Sequence, residues 1–219
     1  MARAAGLRER KKAQTRQHIA DTAALLFAAR GYDEVSIADV ALAAEVSDQT
    51  VYNYFPLKED LVFDRAEEFR VRLSEAVADR PAGTSPAHAL RALAHIDIER
   101  HRGSVIEESR GEFPALCASS GAIRRGALEL FDQQADAVAA AIVTTCPTIH
   151  SAVARAHAAA LVSVFQLIAD RTGRSVLDGT PPDVVADELI PMVEAVLDDL
   201  DRHFHRTTLR GAQDHHPAP

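Results

Sequence analysis

The sequence predicts an all-α protein, and three observations carry that prediction. Apolar residues recur at three- and four-residue spacings through nearly every segment. Ala, Leu, Arg and Glu, all good helix formers, dominate those segments. No alternating apolar–polar run bounded by turn residues suggests a strand. Breaks at Gly31, Pro56, 80–86, 102–103, 119–121, Pro147, 172–173 and 179–182 divide the chain into about nine helices. There is no internal repeat.

The first helix is expected to bury Ile19, Ala23, Leu26 and Phe27, spaced as one helical face. Gly31 can adopt the left-handed conformation that ends it, with Tyr32 packing back. Ser36 caps the second helix, and Asp39 three residues on gives a variant capping box. Its inner face is Ile37, Val40, Ala41 and Ala44. The turn 44–47 leads to a third helix capped by Ser47 and stopped by Pro56.

This is the helix-turn-helix plan, and its physics is specific. The third helix must anchor apolar residues inward, here Val51 and Phe55, and show small polar ones outward. Gln49 and Asn53 can pair bidentately with adenine, and the Thr50 methyl can pack on thymine. Tyr52 and Tyr54 flank that face with hydroxyls suited to phosphate. Lys58 is expected in the first turn of a fourth helix, where charge and backbone amides together suit phosphate, and Ser36 is similarly placed for the opposite strand.

Charge distribution agrees. The net charge is −8. Residues 1–16 hold six basic side chains (Arg3, Arg8, Arg10, Lys11, Lys12, Arg16) against Glu9 alone, +5, so the remainder carries −13. A basic arm on an acidic body suits one polyanion-facing end. No run of 18 apolar residues appears, so a spanning helix is not expected. The basic start lacks the apolar stretch of a secretory signal, and Cys117 and Cys146 have no metal or redox spacing. These features suit reduced thiols and a cytoplasmic location. No Gly-rich phosphate loop, nucleophile elbow or zinc-protease motif occurs, so neither catalysis nor a cofactor is expected.

The stretches 19–32, Ser36 to Ala41, Val46 to Phe55 and Lys58 to Leu61 together resemble the N-terminal domain of TetR-family regulators, nearly continuously over residues 12–62. The resemblance implies an Ω-shaped helical homodimer in which Ser47, Gln49, Thr50, Tyr52, Tyr54 and Lys58 touch a double-stranded DNA operator. It also implies a C-terminal small-molecule pocket, and a fourth helix that carries motion to the reading head. The expected function is therefore transcription regulation, as a repressor released from a palindromic operator by an effector. Two departures stand out. Glu45 replaces the family's usual turn glycine, which costs ~1 kcal/mol in the left-handed conformation or reshapes the turn, and Leu57 replaces a small polar cap. The implied division is 1–56 for DNA reading, 57–205 for effector binding and dimerisation, and 206–219 as a disordered tail.

In the C-terminal part, Asp97 and His101 share a face with Leu90, Leu93 and Ala94. An acid and a histidine are unexpected on an apolar face. They suit ligand binding, metal binding with His157 as third ligand, or pairing with each other. Phe69, Phe113, Phe131 and Phe165 are candidate apolar walls or plain core, and Gln134 is a further polar candidate. Two broad stripes predict a dimer interface on the last two long helices. One is Val153, His157, Ala160, Leu161, Val164 and Ile168; the other is Val185, Leu189, Met192, Val193, Val196 and Leu200.

Overall fold

A computed structural model describes the backbone of residues 2–214 and the side-chain surroundings of residues 9–207. Among the described residues there are ten α-helices, one 3-10 turn and no strand. The helices are α1 (Ala2–Arg30), α2 (Ile37–Ala43), α3 (Asp48–Tyr54), α4 (Ala66–Ala78), α5 (Pro86–Arg102), α6 (Ile106–Ser109), α7 (Phe113–Ser119), α8 (Gly121–Thr145), α9 (Ser151–Asp178) and α10 (Pro182–Asp214). The all-α class and the helix-turn-helix are as expected, with one helix more than the breaks suggested.

Local chemistry explains the N-terminal elements. Ile19, Ala23 and Phe27 are fully or almost fully buried on α1. Gly31 ends the helix at φ 83°, and Tyr32 tilts onto Phe27 with ring centroids 5.1 Å apart. At α2 the capping box is complete: Ser36 Oγ accepts from the Asp39 amide, and Asp39 Oδ2 accepts from the Ser36 amide. The Ser36 hydroxyl donating to Asp39 Oδ2, then the Ser36 amide and Arg30, hold the Asp39 carboxyl down at about 2. Glu45 is the one non-glycine at positive φ among the described residues, at 54°. The Val46 amide reaches back to the Ala41 carbonyl at 2.9 Å, closing a Schellman-type turn around Glu45. The turn is therefore kept, not reshaped, by the missing glycine. Its carbonyl neighbour Ala44 meets His18 Nε2 of α1 at 3.3 Å.

Three expectations are corrected here. The basic segment is the start of α1, not a loose arm, at least from Ala2. Lys58 lies in a separate 3-10 turn, Lys58–Leu61, and α4 begins only at Ala66. Leu57 lacks a capping side chain, so Asp60 closes that turn by accepting from the Leu57 amide at 2.8 Å. Finally, α10 is helical to Asp214, beyond the expected end of order near residue 205; residues 215–219 lie outside the described residues.

Two buried clusters organise the chain. One is built from Leu73 and Val77 of α4, Leu90 and Ile98 of α5, Val138 and Ile142 of α8, Leu161 of α9 and Leu189 and Leu197 of α10. The other joins the three N-terminal helices to Leu116, Cys117, Ile123 and Ala127 of α7 and α8. The helix-turn-helix is thus not an independent head on a tether; its core runs into the C-terminal helices. Burial pushes the Cys117 thiol up to about 12, so it is inert packing. By length and composition α9 is apolar enough to cross a membrane, which the sequence reading missed. Its apolar residues Ala154, Leu161, Phe165 and Ile168 are buried against other helices of this fold.

The predicted dimer stripes are largely the chain's own core. His157, Leu161, Val164 and Ile168, like Val185, Leu189 and Val193, are buried within one copy. Val153 and Met192 remain exposed, at 38% and 41%.

Candidate nucleic-acid interface and ligand cavity

The third helix is held by its buried side and open on the other. Val51 and Phe55 are fully buried. Ser47 Oγ accepts from the Thr50 amide at 3.1 Å and forms a hydroxyl–hydroxyl hydrogen bond with Thr50 Oγ1 at 2.8 Å. Gln49 Nε2 donates to Asn53 Oδ1 at 3.1 Å, so two exposed amides are pre-aligned along one face. Tyr52 is half exposed beside them, and Tyr54 packs partly against the core. Ser36 is exposed at the α2 start but occupied by its capping box.

Lys58 does not stand free in solvent. Its ammonium donates to the Tyr32 carbonyl at 2.6 Å and sits 4.1 Å from the Tyr32 ring centroid. Burial lowers its pKa, against the pull of Asp33 and Glu59. The lysine therefore joins the 3-10 turn to the end of α1 as well as presenting charge.

Sequence reasoning placed Arg16 only in the basic arm. Its Nη1 donates to the Tyr54 carbonyl at 2.7 Å, and its guanidinium lies 4.2 Å from the Phe55 ring centroid. Its Nε is 2.7 Å from Asp64 Oδ1, off the line of a good hydrogen bond, so that contact is an ion pair. One side chain on α1 thus joins the end of α3 to the segment before α4. No spacing signal reveals this, because the partners are 38 and 48 residues away and one is a backbone carbonyl.

Asp64 also lines a cavity of about 360 Å³. Four candidate walls converge there: Phe69, Phe113, Phe131 and Phe165. Phe69 and Phe165 meet edge to face at 5.3 Å, as do Phe113 and Phe131 at 6.2 Å, and Phe63 joins Phe113 at 6.0 Å. Asp97, His101 and Gln134 also line it. Asp97 and His101 take different partners. Asp97 is 3.7 Å from Arg100, and burial raises its pKa despite Arg100 and Arg72. His101 Nε2 bonds Ser175 Oγ at 3.3 Å, and burial lowers its pKa. Three buried polar atoms on the wall lack an aligned hydrogen-bond partner: Asp64 Oδ1, Ser104 Oγ and Gln134 Oε1.

His157 lies elsewhere. Its ring packs 5.1 Å from Phe204 and 6.2 Å from His203, between α9 and α10. Burial, then the neighbouring His203, pushes it down to about 4. It cannot complete a metal set with Asp97 and His101, and no group of three metal-ligating side chains exists among the described residues. A larger depression, about 460 Å³, beside Glu67, Arg70, Gln133 and Asp136 is open and rimmed by ion-paired surface groups.

The cavity and the head also touch through backbone. A Cβ added to Gly111, on the cavity wall, would lie 1.8 Å from the Ala24 carbonyl oxygen of α1. Only glycine permits this approach.

Comparison with known proteins agrees with this geometry. Residues 19–64 match the family described as bacterial regulatory proteins, tetR family. The HTH-type transcriptional regulator TcmR of Streptomyces glaucescens is 30% identical over 102 residues, 47% of this chain and 45% of that protein. The matched stretch therefore spans less than half of that relative's length. The fold likeness is wider. NalD, the secondary repressor of the MexAB-OprM multidrug efflux pump in Pseudomonas aeruginosa, has a TM-score of 0.56 at 17% identity, over 84% of this chain and 96% of that one. FadR of Bacillus subtilis, solved with stearoyl-CoA, gives 0.55 at 17% over 84% and 97%. Residues 19–64 thus carry the sequence pattern of the tetR family, and the fold over most of the chain is that of the solved regulators it resembles.

Proposed function

We propose that the chain is a sequence-specific DNA-binding transcription regulator, a repressor released from a palindromic operator by a small molecule in the α4–α9 cavity. The observation that carries this reading is the join between the two sites. Asp64 belongs to the cavity wall and, through Arg16, to the carbonyl end of α3. An occupant that displaces Asp64 or Phe63 changes the support of the reading helix. A ligand favouring one arrangement then costs DNA affinity by linkage. NalD is a repressor and FadR was solved with an organic ligand, which supports both halves by analogy.

In this reading Gln49, Thr50 and Asn53 meet base edges. Ser36, Ser47, Tyr52, Tyr54 and Lys58 meet phosphates, Lys58 with the protons its carbonyl bond leaves free. Residues 1–56 form the reading head. Residues 57–205 hold the effector and the dimer contact, although the second core cluster crosses that boundary. The homodimer forms through α9 and α10, on the exposed faces that include Val153 and Met192. Two heads must sit about one helical turn, ~34 Å, or a multiple apart. The site of action is the cytoplasm, where the operator is. Asp97 lies beside Arg100 and His101 bonds Ser175, which supports ligand binding over acid–base catalysis by this pair. Selection from a random duplex library tests the proposal. Enrichment of an inverted repeat is expected, and failure to enrich any sequence refutes it.

A further inference from the structure

The chemistry of the cavity wall specifies more than its volume. Resting on the effector reading above, we propose that the occupant is a compact lipophilic amine, its protonated nitrogen held by Asp97 and Gln134 inside the ring of phenylalanines.

The inside of the cavity offers acceptors. Gln134 is only 5% exposed, and its Oε1 has no partner. The Asp97 side chain is 15% exposed, and its nearest cation, Arg100, is 3.7 Å away and 62% exposed at the rim. Ser104 Oγ is a further buried atom without a partner. Thr172 does not compete for the ligand, because its hydroxyl donates to the Ile168 carbonyl. No lysine lines the cavity, and its arginines, Arg65 and Arg100, are both exposed. An acidic ligand would add a second negative charge beside Asp97, where the cations within reach, the exposed Arg100 and the half-buried Arg72, already face the Asp97 carboxylate. An ammonium gains the carboxylate, the amide oxygen and the negative faces of the rings together. The volume, about 360 Å³, lies at the low end for small-molecule sites, which favours a compact body.

The test uses the full chain and a matched series: 4-phenylbutylamine, 4-phenylbutan-1-ol and 4-phenylbutyrate. Each displaces the uncharged fluorescent probe N-phenyl-1-naphthylamine, and each is titrated by calorimetry. The amine is expected to bind on the order of tenfold tighter than the alcohol, as one desolvated charge pair allows, with the carboxylate weakest. Asp97→Asn should bring the amine down to the affinity of the alcohol by calorimetry, and Gln134→Met should weaken the amine severalfold. Equal or tighter binding of the alcohol or the carboxylate overturns the proposal. So does an amine preference that survives Asp97→Asn. Should that variant not fold, the wild-type series and Gln134→Met still decide. Absence of binding by the probe and all three compounds overturns the effector reading itself; probe binding with the wrong order overturns only the amine.

Discussion

Arg16→Met should detach the reading helix from the cavity without removing any group expected to read bases. Methionine keeps most of the apolar stem and deletes the guanidinium. Three interactions are lost. The charged hydrogen bond to the Tyr54 carbonyl, at 2.7 Å, contributes about 1.5–3 kcal/mol. The contact over Phe55, at 4.2 Å, adds about 0.5–1 kcal/mol. The ion pair is part-buried, with Arg16 40% and Asp64 13% exposed, and adds at most about 1 kcal/mol after solvent screening. These overlap, so a loss of about 3 kcal/mol in urea unfolding is expected. Asp64→Asn removes the ion pair alone and should cost about 1 kcal/mol or less. Operator binding is the second assay. Both variants should bind the selected duplex more weakly and respond less to the cavity ligand. If Arg16→Met unfolds the protein less than Asp64→Asn, or if effector response is unchanged in both, the reasoning is wrong.

Other consequences follow from single positions. Glu45→Gly should stabilise the chain by about 1 kcal/mol, because φ 54° strains any residue with a Cβ; the check is a rise in Tm of roughly 2–4 °C. Gly111→Ala should cost at least about 1–3 kcal/mol, since its Cβ would overlap the Ala24 carbonyl, and should alter operator affinity from outside the reading helix. His157 gives a pH dependence. Its pKa falls from 6.5 to about 4 on folding, so the unfolded chain binds more protons between those values. Stability from this residue is intact above about pH 6.5 and declines by up to about 3 kcal/mol as pH falls towards 4. Asp97, raised by burial, acts with the opposite sign, so the comparison is wild type against His157→Leu, whose slope in this window should be shallower.

The readable parts of the sequence were those decided locally. Ser36, Asp39 and Ser47 cap helices within three residues of themselves, so spacing alone places them. Glu45 could be flagged as strained because the turn's geometry demands one left-handed residue. Asp97, His101 and Gln134 were conspicuous as polar groups on apolar helical faces, and all three line the cavity. The same argument misplaced His157, because a histidine on an apolar face can equally be neutral core beside Phe204. Most residues of the dimer stripes are buried within one copy for a related reason: width shows that a face is buried, not what buries it. Long-range joins were invisible. Arg16 with the Tyr54 carbonyl, Lys58 with the Tyr32 carbonyl and Gly111 against Ala24 all use backbone atoms, which carry no sequence signature. Part of the hydrogen bonding of Lys58 therefore belongs to the fold, which its position in the sequence does not signal.

The aligned amides of Gln49 and Asn53 are expected to read bases from α3. Affinity of the double variant Gln49→Ala with Asn53→Ala, measured at fixed salt on the selected duplex and on a scrambled one, tests it most directly. Two lost bidentate contacts at about 1–3 kcal/mol each predict a loss on the order of a hundredfold or more on the selected duplex. Binding to the scrambled duplex, which depends on phosphate contacts, should be nearly unchanged. An equal loss on both duplexes, or no loss on either, would rule out base reading by these two amides.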